Sequence, residues 1–266
     1  MSRQEQTPSV MAISEHELAT MTSTLDEMHH ESMSEVRDNM ASLTERLSSV
    51  AKSHASRRNF LLGSFAVVGA GALAACGSSS SGGSPAAGGT TAPSSGSSKY
   101  TGDLKVVALA AALENLAVAG YGLALSNAGK GVYGKVPPAI ADFVTVAQKQ
   151  HSDHAAAWNS VLKGAGLPQV TDAPLTIASG AVSALKSAKT IPDVAKVALG
   201  LENAAAQTYV FAAANVTDTG GIATAASIAP VEAMHAAILS FVLGQYPVPK
   251  SDIGITGAVQ PSALTI

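Results

Sequence analysis

The chain has 266 residues and a formal net charge of −3, with 16 Lys and Arg against 19 Asp and Glu, which allows one or two domains. The part after Cys76 carries ten Lys, ten Asp or Glu and no Arg, so its charge gives no reason to expect nucleic acid as a partner. The single cysteine excludes an intramolecular disulfide, and many Ala with few aromatic residues favour closely packed helices over a sheet.

Residues 1–55 form a polar, acidic extension with nine Asp or Glu against four Lys or Arg. Apolar residues at steps of three and four predict a helix over residues 14–52 with a weak amphipathic or coiled-coil stripe. The stripe consists of Leu18, Met21, Leu25, Met28, Val36, Met40, Leu43, Leu47 and Val50. A mostly flexible cytosolic leader is an equally good interpretation of this polar composition.

A basic pair precedes an uncharged stretch within residues 56–76. Arg57 and Arg58 stand ahead of a Gly- and Ala-rich apolar run that is too short for a comfortable transmembrane helix. This segment resembles a twin-arginine export signal, and Leu73-Ala74-Ala75-Cys76 resembles a bacterial lipobox. The two resemblances imply export and lipidation of Cys76, which would anchor the protein on the outer face of the cytoplasmic membrane. An uncleaved signal anchor is the alternative, since more than fifty residues precede the pair.

Residues 77–100 form a Gly- and Ser-rich tract that is uncharged up to Ser98, and this composition is typical of a flexible tether. Residues 101–246 then show four long helical patterns, and the long middle connection holds a short helical stretch at 177–187. Short first and third links with one long crossover predict an all-α four-helix bundle. The predicted bundle helices are 102–127, 137–164 or 137–166, 192–215 and 222–245. Residues 247–266 form a tail without helical period.

Glu and His are rare in these helices and occur only at particular positions. Residues 77–266 contain only three Glu and only three His, and each falls near the middle of a predicted helix. Carboxylates and imidazoles that are buried among Ala need partners, and the nearest available partners are one another. A Glu-x-x-His pair also presents two metal ligands on one helix face. The six residues are Glu114, His151, His154, Glu202, Glu232 and His235.

The four helices contain an internal repeat. Leu113-Glu114-Asn115, ending in Tyr121, recurs as Leu201-Glu202-Asn203, ending in Tyr209, and His154-Ala155-Ala156 recurs as His235-Ala236-Ala237. This pattern indicates a duplicated helical hairpin in which His151 stands where the second half has Glu232. The two tyrosines lie on the same faces as the glutamates, where they either hydrogen-bond carboxylates or simply fill the core.

Over residues 102–245 the chain resembles bacterial exported proteins of the ferritin-like superfamily. The family's di-iron pattern is Glu, Glu-x-x-His, Glu and Glu-x-x-His on successive helices, and five of the six residues match it. His151 is the departure, because a metal-bridging Glu is usual there. A second register would align Gln148-x-x-His151 instead, and either way one bridging carboxylate is missing.

The resemblance implies an iron centre of one or two metals, with manganese and zinc as alternatives. Tyr121, Tyr209 and Gln148 are then candidates for the shell around the ligands. Turnover of oxygen or peroxide, or oxidation of ferrous iron, is one expectation. A non-enzymatic, stress- or desiccation-associated surface protein with a vestigial site is the other, and a homo-oligomer is left open. The sequence offers no Gly-x-Ser-x-Gly elbow for hydrolysis.

Overall fold

The computed structural model describes residues 13–64, 99–250 and 252–266, with the backbone alone for 50–64. Within these ranges the regular structure is helical, and an isolated bridge between Leu175 and Leu264 is the one β-type pairing. The predicted all-α fold class is therefore confirmed. The helices are α1 (Glu15–Ser64), α2 (Asp103–Gly129), α3 (Pro138–Gly164), α4 (Ala178–Ser187), α5 (Ile191–Asn215) and α6 (Thr219–Val242), followed by a 3₁₀ turn at Pro261–Ala263.

Helices α2, α3, α5 and α6 form the predicted bundle. The hairpin α2–α3 packs beside the hairpin α5–α6, and the long connection between them carries α4 across α2 and α5. Local signals place the helix starts. Pro138 occupies the first position of α3, where its missing N–H costs nothing, and Thr190 with Asp193 forms a capping box at the start of α5.

The start of α6 differs from the prediction by one turn. The Gly220-Gly221 pair was expected to separate two helices, but the Asp218 side chain accepts hydrogen bonds from both glycine N–H groups and starts the helix there. The glycines are needed for close packing. A Cβ on Gly220 would lie 2.5 Å from the Asn39 carbonyl oxygen, and one on Gly221 would lie 2.7 Å from Val216.

Helix α1 is an additional helix that lies along α3 and α6. Most of its stripe is a packing face, because Leu18, Leu25, Val36, Met40 and Leu43 are buried, whereas Met28 is 44% exposed and does not belong to that face. The helical interpretation of the N-terminal extension is thus the one found over Glu15–Ser64. The helix runs on through the twin-arginine pair, whereas the lipobox cysteine and most of the predicted tether lie outside the described residues.

The core divides into two apolar clusters along the bundle. One holds residues such as Leu109, Trp158, Leu162 and Ile228. The other holds Leu18 and Leu25 of α1 together with bundle residues such as Phe143 and Leu239. The six predicted site residues are buried among these apolar residues, so a polar cluster lies inside an otherwise apolar interior.

Two helices, Asp103–Gly129 and Thr219–Val242, are long and apolar enough to cross a membrane. Each is mostly buried inside the bundle, with 67% and 61% of its most apolar window covered. Core helices of soluble bundles have the same composition, so this feature is weak evidence for a membrane span.

Candidate metal centre

All six residues singled out in the sequence meet at the centre of the bundle. Glu114 comes from α2, His151 and His154 from α3, Glu202 from α5, and Glu232 and His235 from α6. None exposes more than 2% of its surface. Their mid-helix positions bring the six residues to the same level of the bundle, and their places on the buried helix faces turn them toward its interior.

Their ligand atoms form two overlapping groups, and within each group the atoms lie within 4.8 Å of one another. The first group adds Glu114 and His154 to the shared pair His151 and Glu232, whereas the second adds Glu202 and His235 to the same pair. The layout is that of two adjoining sites with two common residues. It follows the duplicated hairpin predicted from the sequence.

Five atoms that face this space have no hydrogen-bond partner among the described residues: His154 Nδ1, His235 Nδ1, Glu202 Oε2 and both carboxylate oxygens of Glu232. Glu232 Oε1 lies 3.2 Å from His154 Nδ1 and Oε2 lies 3.4 Å from His235 Nδ1, without hydrogen-bond geometry. Leaving so many buried polar atoms unbonded is costly. Imidazole nitrogens with carboxylate oxygens are a donor set that iron, manganese and zinc accept, so the residues present fit a metal.

His151 occupies the position opposite Glu232. Its Nδ1 lies 2.7 Å from Glu114 Oε2 and its Nε2 lies 3.2 Å from Glu202 Oε1, so one ring connects the carboxylates of α2 and α5. A Glu at this position would add negative charge to the cluster. The imidazole instead supplies a group that can carry positive charge between two carboxylates.

The charges of the cluster hold one another in place. Burial alone would raise the pKa of Glu114, but the neighbouring His154 and His151 outweigh it and lower that pKa to about 2. Burial would lower the pKa of His154, but Glu114 and Glu232 raise it to about 9. The same opposition raises the pKa values of His151 and His235 and lowers that of Glu202. Without metal, these groups are therefore mutually ionised at neutral pH.

The two predicted tyrosines bond carboxylates across the bundle and not within their own helices. Tyr121 of α2 donates to Glu202 Oε1 at 2.5 Å, and Tyr209 of α5 donates to Glu114 Oε1. Tyr209 also accepts a hydrogen bond of 2.9 Å from the indole of Trp158. Burial, followed by the adjacent carboxylates, raises the pKa of both phenols well above 10. Both therefore act as neutral donors that orient the glutamates.

Gln148, the third candidate for the outer shell, donates instead to the Val118 carbonyl at 3.0 Å. The residue that reaches a site histidine is Gln150, whose Oε1 lies 2.9 Å from His235 Nε2. A second contact that was not predicted joins His29 of α1 to His154, with the two Nε2 atoms 3.2 Å apart. A signal for His29 existed, because it stands four residues after Leu25 on the apolar stripe.

Two cavities of about 20 Å³ adjoin the centre. One is lined by Glu114, His151 and Glu202 together with Leu, Ile and Ala side chains, and the other by Tyr121 and Glu202 among apolar side chains. A third, of about 60 Å³, is bounded by apolar residues and by Tyr121 and Tyr133, and it touches none of the six site residues. It is large enough only for a very small apolar molecule.

A four-helix bundle with one long crossover and a carboxylate–imidazole centre defines the ferritin-like class of proteins. The family model of the ferritin-like domain matches residues 102–245, which is more than half of the chain. The chain belongs to the ferritin-like domain family, and the predicted superfamily is thereby confirmed. No significant match was found among curated proteins or among solved structures.

Proposed function

We propose that the protein binds metal, with iron as the first candidate, at the buried centre of its ferritin-like bundle. The observation that carries this proposal is the set of five unbonded ligand atoms that face one space. A purely structural polar network would be expected to satisfy its own buried atoms. Metal bound at the two adjoining groups would give these atoms partners.

The residues divide into roles. Glu232 lies between His154 and His235 and would serve both sides of the centre, while Glu114 with His154 and Glu202 with His235 would hold metal on one side each. Iron held there would supply redox chemistry toward dioxygen or peroxide, or oxidation of ferrous iron. Tyr121 and Tyr209 hold the carboxylates in place. The apolar cavity beside Tyr121 offers room for a dioxygen-sized molecule.

Elemental analysis of the full chain, purified without a His tag, tests the proposal. We expect one or two equivalents of iron, manganese or zinc, and loss of this metal in a Glu202→Ala/Glu232→Ala variant. Asp142→Ala, which removes an exposed carboxylate from the same bundle, is the matched control and should keep the metal. Native protein that stays metal-free after incubation with ferrous iron would rule out the function.

A second candidate is a non-enzymatic, stress- or desiccation-associated surface protein with a vestigial site. The observation in its favour is that His151 already links Glu114 and Glu202. Its imidazole can therefore supply part of the positive charge that a metal would supply. This candidate predicts a metal-free protein whose stability does not rise when iron, manganese or zinc is added. The same metal analysis therefore distinguishes the two functions.

We also propose that the protein is exported and held on the outer face of the cytoplasmic membrane through lipidated Cys76. The support is the order of the twin-arginine pair, the apolar run and the lipobox in the sequence. A lipidated Cys76 would anchor the protein stably only if it carried more than one acyl chain. A Cys76→Ala variant should appear in the soluble fraction of cells, and its continued retention in membranes would exclude the lipid anchor.

A further inference from the structure

Helix α1 contributes polar residues to the edge of the metal centre. Asp26 and His29 lie three residues apart on the face of α1 that packs against the bundle. His29 is 3% exposed, although His30 beside it is exposed to solvent. Burying an imidazole within an apolar stripe is unfavourable unless its nitrogens have partners.

The partner of His29 is the outer nitrogen of a candidate metal ligand. His154 directs Nδ1 to the centre, 3.2 Å from Glu232, and directs Nε2 to His29 Nε2 at the same distance. A histidine that offers Nδ1 to a metal keeps its proton on Nε2, and that proton needs an acceptor. His29 Nε2 is placed to be this acceptor.

The second half of the bundle shows why α1 is needed. His235 directs Nδ1 to the centre in the same way, and its Nε2 is held by the Gln150 amide oxygen at 2.9 Å. Gln150 stands four residues before His154, and the repeat aligns it with Val231, four residues before His235. A valine cannot accept a hydrogen bond, so the duplicated position that would serve His154 is apolar. His29 supplies the group that the repeat lacks.

The same face of α1 also reaches the partner of His235. Gln150 Nε2 lies 3.4 Å from Asp26 Oδ1, a long contact in which the amide donates to the carboxylate. This contact selects the amide orientation that turns the oxygen toward His235. Both outer histidine nitrogens thus depend on α1, one directly and the other through Gln150.

We propose that α1 is part of the metal centre, with His29 as a positioning residue that holds the Nε2 proton of His154 and so aims Nδ1 at the metal. Its effect on affinity rests on the proposed metal-binding function. The hydrogen bond itself exists in the metal-free protein and can be measured there.

The hydrogen bond is tested by ¹⁵N NMR of the full chain without metal. We expect a ¹⁵N–¹⁵N coupling between the Nε2 atoms of His29 and His154, and slow exchange of the shared proton with water. His29→Ala should remove the coupling and speed the exchange. In His29→Gln the proton should again exchange slowly, because the amide oxygen reproduces what Gln150 gives to His235. Absence of the coupling in the native chain would overturn the proposal.

The effect on the centre is tested by titration with cobalt(II), whose absorption spectrum reports its ligands. Loss of an outer-shell partner typically weakens metal binding about 10–100-fold, and we expect this for His29→Ala. His29→Gln should bind nearly as tightly as the native chain, and the exposed neighbour variant His30→Ala should bind unchanged.

Two results would contradict the positioning role: native affinity in His29→Ala, or equal losses in His29→Ala and His29→Gln, which would indicate mere packing. A native chain that shows the nitrogen coupling but binds no cobalt would remove the metal function and leave the positioning of His154 standing. The metal-binding function and the positioning role of His29 can therefore be contradicted independently of each other.

Discussion

Two tyrosine hydroxyls determine how the carboxylates of the centre are held. Tyr209 donates to Glu114 and accepts from Trp158, so it links the polar cluster to the apolar cluster beside it. Tyr121 donates to Glu202 in the opposite direction across the bundle. Each hydroxyl therefore links α2 to α5 at the level of the candidate metal centre.

We predict that Tyr209→Phe lowers the free energy of unfolding by about 1–3 kcal/mol, since it leaves a buried carboxylate oxygen and the Trp158 N–H without their partner. Urea unfolding of the metal-free protein measures this. Tyr246→Phe is the matched control, because that ring is 74% exposed and its change should have no effect. Equal stability of Tyr209→Phe and the native chain would show that the hydroxyl contact is dispensable.

His151 is the residue at which this chain departs from the di-iron pattern, and replacing it tests what the departure does. In His151→Glu a fourth carboxylate joins three others, so the metal-free protein should lose stability through charge repulsion. The same charge should strengthen divalent metal binding and raise the stoichiometry toward two.

Melting temperatures with and without zinc, together with elemental analysis, measure both effects. His151→Gln, which is polar but uncharged, is the control and should not gain metal. A His151→Glu protein that binds no more metal than the native chain would mean that the missing carboxylate is not what limits the site.

At the scale of helices, most of the architecture was predictable and the parts that were not have physical causes. Periodicity, Pro138 and the Thr190–Asp193 box mark three helices within a few residues, because these signals are local. The six candidate ligands were predictable because this chain uses Glu and His nowhere else after Cys76. Gln150 and His29 were missed because their roles depend on which helix faces which, and one sequence does not contain that information.

The missed first turn of α6 shows the same limit and gives an element-scale prediction. Asp218 caps α6 and also pairs with Arg46 of α1 at 2.6 Å. Asp218→Ala should destabilise the protein by about 1–2 kcal/mol through the lost cap. Asp218→Asn keeps the capping oxygen and loses only the pair with a half-exposed arginine, which is worth at most about 1 kcal/mol.

Thermal unfolding of both variants separates the two contributions. Asp172→Ala removes an exposed carboxylate from the crossover and serves as the control. If Asn proved as destabilising as Ala, the ion pair to α1 and not the cap would be the stabilising contact.

For the molecule as a whole, the buried charges predict that the unfolding free energy of the metal-free protein passes through a maximum as the pH changes. The pKa of His154 is raised to about 9 despite its burial, so its contribution is complete below pH 6.5 and is lost as the pH rises through 9. Such a shift corresponds to on the order of 3 kcal/mol. His29 has the opposite sign, because burial and the charge of His154 lower its pKa to about 4, and this costs stability as the pH falls from 6.5 to 4.

Unfolding free energies measured from pH 4 to 10 should therefore peak near pH 6.5 without metal. Bound metal displaces the protons, so metal affinity should rise over the range where metal-free stability falls. Stability that stayed flat between pH 6.5 and 9 would contradict the mutual ionisation of His154 and Glu114.

The position of α1 gives the last prediction, because the whole helix precedes Cys76 and would be separated from the bundle by cleavage before that residue. Its buried leucines contact the bundle, and each such side chain contributes about 1.5–3 kcal/mol when buried. Residues 99–266 alone should therefore melt at a lower temperature than the full chain, and an added peptide of residues 13–49 should restore much of the difference. A peptide carrying Leu25→Asp and Leu43→Asp should not. Equal melting temperatures of the short and full chains would mean that α1 does not stabilise the bundle. Rescue by the native peptide alone would show that α1 still packs against the bundle when the two are separate chains.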